Sequence, residues 1–101
     1  MKLLFFAAIF LGFVQRYAEY EIIVNGSVTN DYVYRDRPNS FVVKGADAAS
    51  IKLSSPQATM KLQGGKYVLT LEKDYEEIIV LVTYFQKGEH SQLGYYKFRV
   101  I

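Results

Sequence analysis

Apolar side chains recur at every second position through most of this chain, and turn-forming residues break the pattern at short intervals. This constrains the fold more than any other feature, because a period of two places alternate side chains on opposite faces of a strand, whereas a helical stripe needs 3.6. Tyr96, Phe98 and Val100 alternate with Tyr95, Lys97, Arg99 and Ile101. Tyr67, Leu69 and Leu71 alternate with Lys66, Val68, Thr70 and Glu72. The same reading holds for Tyr20, Ile22 and Val24, for Phe41 and Val43, for Ile51 and Leu53 around Lys52, and for Met60 and Leu62 around Lys61. From Ile78 to Phe85 only Thr83 is polar, so this run predicts a central strand covered on both faces.

Asn25-Gly26, Arg37-Pro38-Asn39, Gly45, Ser54-Ser55-Pro56, Gly64-Gly65, Lys73-Asp74 and Lys87-Gly88 separate the runs. Strands are expected near residues 20–24, 28–34, 40–45, 50–54, 58–62, 66–72, 76–86 and 92–100. Short strands with turns at roughly 8–12-residue spacing point to an all-β sandwich. The fold class expected is an antiparallel β-sandwich of seven or eight short strands, with a small closed barrel as the alternative.

The first 18 residues read differently. Lys2 is followed by an uncharged apolar run from Leu3 to Val14, then by Gln15-Arg16-Tyr17-Ala18, and polarity rises at Glu19. This is the layout of a secretory signal peptide, and the run is shorter than the roughly 17–25 residues that a spanning helix needs. We therefore expect a signal peptide over 1–18, cleavage after Ala18, a β-sandwich domain over 19–101, and a periplasmic or secreted product with no stable membrane anchor after cleavage. Loss of the leader takes Lys2 and Arg16 away and leaves ten basic against ten acidic side chains. A domain without net charge lacks the basic footprint that nucleic-acid binding needs. With no cysteine, the domain must be held by its core alone; of the nine Tyr and seven Phe of the chain, eight Tyr and three Phe fall within 19–101 and supply side chains that bury large areas.

The residues offer little for chemistry. The single histidine, His90, falls in the expected turn Lys87-Gly88-Glu89-His90, and Ser91 beside it would point to the opposite strand face. One His and no Cys argue against a zinc site, and Asp31, Asp36, Asp47 and Asp74 are too scattered for a calcium loop. Glu76-Glu77 reads as a solvated strand start and Gly64-Gly65 as a hairpin turn. Asn25-Gly26-Ser27 matches the short N-glycosylation pattern. The reading is therefore not an enzyme, with no catalytic residues, no cofactor and no metal. Arg35-Asp36-Arg37, close to Tyr32 and Tyr34, is the densest charge cluster, and Arg and Tyr are enriched at interface hot spots.

Four stretches in order resemble a known family. These are Asp31-Tyr32-Val33-Tyr34-Arg35-Asp36-Arg37-Pro38-Asn39, Phe41-Val42-Val43-Lys44-Gly45-Ala46, Gly64-Gly65-Lys66-Tyr67-Val68-Leu69, and Ser91-Gln92-Leu93-Gly94-Tyr95-Tyr96-Lys97-Phe98-Arg99-Val100. They are similar to the periplasmic β-sandwich domains of GldM, the gliding-motility and type IX secretion motor protein of Bacteroidetes. The resemblance implies an immunoglobulin-like sandwich in the cell envelope, without catalytic residues or cofactors; because the family's transmembrane helix and serial domains have no counterpart in this sequence, a free-standing adaptor is expected rather than a motor. The function expected is a non-enzymatic protein-binding or assembly module, with a homodimer as one form of partnership. Docking is expected through a strand edge or the Tyr/Arg-rich loops, with the terminal strand Tyr95–Ile101 as the uncovered edge. The candidate interaction residues are Tyr32, Tyr34, Arg35, Arg37, Tyr95, Lys97 and Arg99. The alternative function is a carrier of a small sugar or aromatic ligand, for which Tyr32, Tyr34, Tyr75, Tyr84 and Tyr95 would line a pocket.

Overall fold

In a computed structural model, residues 18–86 and 88–101 are described. The leader expected over 1–18 lies, apart from Ala18, outside them. Eight strands follow in order: β1 (Glu21–Val24), β2 (Tyr32–Val33), β3 (Asn39–Lys44), β4 (Ile51–Ser54), β5 (Thr59–Gln63), β6 (Lys66–Thr70), β7 (Glu77–Gln86) and β8 (Glu89–Val100). A 3-10 turn at Ala48–Ser50 precedes β4. They form two sheets of order β1-β3-β6-β5 and β2-β8-β7-β4. The first is the ABED order of a constant-type immunoglobulin sandwich, and β4, β7 and β8 stand as its C, F and G strands.

The alternation of the sequence fixes which faces meet. In the first sheet Val24 pairs with Phe41, Asn39 and Met60 with Leu69, and Phe41 and Leu62 with Tyr67, so these side chains share its inner face. In the second, Ile78 pairs with Phe98 and Val33 with Val100. Val33, Phe41, Leu69, Ile78, Val80 and Val82 have no exposed surface. The Phe41 and Phe98 rings meet edge to face across the sandwich, 5.4 Å between centroids. Full burial of such a side chain contributes roughly 1.5–3 kcal/mol.

Asn39 is the one buried polar residue among those described. Its Oδ1 accepts the Tyr34 N–H at 2.7 Å and the Asn25 Nδ2–H at 2.9 Å. Its Nδ2 donates to the carbonyls of Tyr34 at 3.0 Å and Arg37 at 3.2 Å. One side-chain amide thus closes the loop between β2 and β3 and ties it to the turn after β1. That turn is Asn25-Gly26, with φ of 50° and 88°, the type I′ geometry that suits a two-residue hairpin. Asn25 completes the link by accepting the Ser40 N–H at 2.9 Å.

Three expectations are corrected. The strand expected over 28–34 shrinks to Tyr32–Val33 because Ser27, Thr29 and Asn30 spend their side chains on local bonds. Asn30 Nδ2 donates to the Val24 carbonyl at 3.2 Å and Asn30 Oδ1 accepts the Tyr32 N–H at 3.3 Å. The second sheet is mixed rather than antiparallel, because this short crossing delivers β2 to the outer edge of β8 already travelling in the direction of β8. Finally, β7 is central but only one of its faces is closed. Ile78, Val80 and Val82 are buried, whereas Ile79, Leu81 and Thr83 on the other face are only partly buried, because no third layer among the described residues covers them.

Gly45 sits where the chain enters β1. Its φ is 125°, and a Cβ there would lie 2.6 Å from the Glu19 carbonyl oxygen and 2.8 Å from the Tyr20 Cα. Gly45→Ala is therefore expected to destabilise the domain, and thermal melting should show it.

Asn39→Leu keeps the volume of the site but leaves the Tyr34 N–H without its partner and the turn carbonyls without a donor. The expected loss is about 3 kcal/mol, since each buried unpaired group costs about 1–3 kcal/mol. Urea unfolding of the variant checks this, and an unchanged midpoint would contradict the role given to Asn39.

Candidate interaction surface

Because directly paired residues share a face, the pairs Glu77 with Arg99, Ile79 with Lys97 and Leu81 with Tyr95 all lie on the outer face of the second sheet. Tyr32 pairs with Arg99 and joins the same face. The Tyr34 ring stands edge-on to Tyr32 at 5.6 Å, and the Arg37 guanidinium lies over Tyr34, 4.5 Å from its centroid. Arg99 donates to Asp31 Oδ1 at 3.2 Å. The structure thus brings Tyr32, Tyr34, Arg37, Tyr95, Lys97 and Arg99 into one ridge, with Ile79 and Leu81 beside it.

Arg35 stands apart. Its guanidinium pairs with Asp74 and donates to the carbonyls of Tyr75 at 3.2 Å and Val100 at 3.4 Å. It fastens β2 to the loop before β7, which gives it a holding role within the fold.

The edge beside this ridge differs from the one expected. An earlier part of the chain covers the end of β8: Arg99 donates its N–H to Asp31 and Ile101 to Val33, and Ile101 accepts from the Arg35 N–H. The open part of the edge is the preceding stretch, because β2 pairs only with Arg99 and Val100. Arg99 and Ile101 face outward and Val100 bonds inward to Glu76, so by alternation the backbone groups of Tyr95 and Lys97 also face outward. No strand among the described residues pairs with them. A register shift between Val82 and Thr83 places Leu93 as the extra residue of a bulge on β8, which bounds the regular part of the edge. Tyr95 is 60% exposed and Leu93 40%.

A groove of about 440 Å³ runs between this edge and β1. Tyr20, Ile22 and Val28 form one wall, Tyr96 and Phe98 the other, and Asp31 lies at its rim. Sequence reading missed this side, since it placed Tyr20 and Tyr96 in the core phase without seeing that both lie on the open flank of the sandwich. Tyr20 is partly buried, and burial first, then the Tyr96 hydroxyl beside it, push its phenol from 10.0 up to about 12. Interaction with the Tyr34 hydroxyl holds the Tyr32 phenol above its ordinary range as well.

The other sequence candidates fall as follows. His90 lies in β8 rather than in a turn, paired with Phe85, with the rings 4.3 Å apart. No group of three or more His, Cys, Asp or Glu side chains close enough to hold a metal occurs among the described residues. None of the cavities described gathers three of the five tyrosines expected for a ligand pocket. The Asn25 amide nitrogen donates one of its two N–H groups to Asn39, which leaves the other for any glycan. No helix among the described residues is long and apolar enough to cross a membrane.

Comparison of the chain with family models, with curated proteins and with solved structures gives no match.

The raised Tyr20 pKa has a definite sign. The folded state favours the neutral phenol, so this contribution is complete below pH 10, the unfolded value, and is lost as pH rises through about 12. Carbon-13 labelling of the tyrosine rings should show Tyr20 still protonated at about pH 11. Tyr20→Phe should remove its share of the stability loss in that window, read by denaturant unfolding at each pH.

Proposed function

We propose that this protein is a non-enzymatic binding module of the bacterial cell envelope, exported by its leader, that docks a protein partner by strand addition to β8. The observation that carries this reading is the unpaired stretch of β8 at Tyr95 and Lys97, set against an exposed aromatic ridge. Unpaired backbone groups on a sheet edge offer main-chain bonds to an incoming extended segment, and alternate side chains of that segment choose the partner. One set would rest on Tyr95, Lys97 and Ile79, and the other would face the groove at Tyr20, Val28 and Tyr96. The bulge at Leu93 and the cover at Arg99 limit the incoming strand to about five residues. A second copy of the chain is one partner that fits this geometry. The four motifs similar to GldM domains support the envelope setting and make gliding motility or type IX secretion the first process in which to look.

A small-ligand carrier is the second reading, and the groove between Tyr20 and Tyr96 is the observation that favours it. Sugar-dependent shifts of the Tyr20 and Tyr96 ring signals would move the assignment there.

Tyr95→Pro removes an outward N–H while keeping the bonds to β7, a position where an edge strand tolerates proline. The variant should keep the circular dichroism of the parent and lose at least tenfold in affinity for the partner recovered from an envelope fraction. Equal retention of that partner by both proteins would overturn docking at this edge. Sedimentation of the parent alone shows whether a second copy is that partner.

A further inference from the structure

Glu19, the residue expected to become the first after cleavage, is held by a carboxylate. Its backbone nitrogen donates to Asp47 Oδ2 at 2.6 Å, and Asp47 returns a bond from its own N–H to the Glu19 carbonyl at 3.0 Å. Asp47 is fixed for this purpose. The Ser50 N–H donates to its carbonyl at 3.0 Å, and the Ala48 N–H donates to the Gly45 carbonyl at 3.2 Å. Gly45 in turn lets the Glu19 and Tyr20 backbone come closer than any side chain would allow. Asp47 takes part in none of the ion pairs found among the described residues. A carboxylate without a cation is thus aimed at one particular backbone nitrogen.

We infer that Asp47 is a receptor for the mature N-terminus: when the bond between Ala18 and Glu19 is hydrolysed, the Glu19 nitrogen becomes an α-ammonium that pairs with the Asp47 carboxylate. Water adds across the peptide bond, so Ala18 leaves with a carboxylate and Glu19 keeps the nitrogen, now protonated. The neutral amide that Asp47 holds in the uncut chain is replaced at the same place by a group with full positive charge and three donors. Charge-assisted bonds of this kind are roughly twice as strong as neutral ones. Removal of the leader therefore strengthens the entry to β1 rather than leaving a loose end. Ala18 packs partly against the core and both backbone groups of Glu19 are bonded, so folding restrains the backbone beside the scissile bond while Glu19 itself stays exposed.

The inference rests on the export reading, and one experiment separates the two. The full chain is expressed with its leader, and the mass of the exported product is measured intact. A product that is uncut, or that starts elsewhere than Glu19, overturns the cleavage reading and this inference with it. For a product that starts at Glu19, melting is measured for the parent and for Asp47→Asn, each with its α-amine free and with it acetylated. The expected result is that Asp47→Asn lowers the melting temperature by about 2–4 °C more in the free-amine protein than in the acetylated one, the size of an exposed ion pair in a domain of this length. Equal losses in both would show that Asp47 acts only through the neutral hydrogen bond, and would overturn the inference while leaving the export reading intact.

Discussion

A single primary amide, that of Asn39, sets the relation between the two sheets. It lies at the start of β3, in the first sheet, and it holds both backbone groups of Tyr34, which follows directly on β2 in the second. The same oxygen accepts a hydrogen bond from Asn25, just after β1. Backbone groups on a crossing segment must find partners once they leave water, and here one buried side chain supplies them. With the crossing fixed, β2 can lie against β8, and the apolar side chains of Val33 and Val100 join one core with Phe41 and Leu69. The hydrophobic core supplies most of the free energy, but it is indifferent to which strand borders β8. The Asn39 bonds make that choice.

The same crossing determines where the molecule is open. Because β2 is only two residues long, it covers the end of β8 and stops. The first sheet has its own free edge at β1, on the same flank, so the two bare edges face one groove. Ridge, edge and groove therefore adjoin one another, and exposed Tyr95 and Tyr96 lie on a stretch of β8 whose outward backbone groups pair with no described strand. The bulge at Leu93 and the charge of Lys97 keep that edge from pairing indiscriminately, as natural edge strands commonly do.

Most of the architecture could be read from the residues. The phase of each alternating run was correct, because burying one face of a strand leaves no freedom about which side chains point inward. The features that could not be read are non-local or competitive. Nothing near Tyr95 or Arg99 says that residues 31–35 will return to lie beside the end of β8. Ser27, Thr29 and Asn30 suit a strand pattern as well as a loop, and only their bonds to Val24 and Tyr32 decide. Asn39 did carry a signal. It occupies the same phase as Phe41 and Val43, and a polar residue in an apolar phase is a buried hub or an error in the register. Grouping it with the turn Arg37-Pro38 concealed this. Of the proposed interaction residues, those on alternate positions of β8 had to share a face. Tyr32, Tyr34 and Arg37 join them only because of the parallel pairing, and Arg35 is drawn away by Asp74.

The pairing of β2 with β8 joins an early strand to the one that the ribosome makes after all the others in the sandwich. A nascent chain carries Val33 and Phe41 without Phe98 and Val100 to meet them until nearly the whole domain has been synthesised. It cannot complete its core piecemeal, because β7, the centre of the second sheet, has its longest partner still to come. Such a chain stays open along most of its length until its last strand emerges.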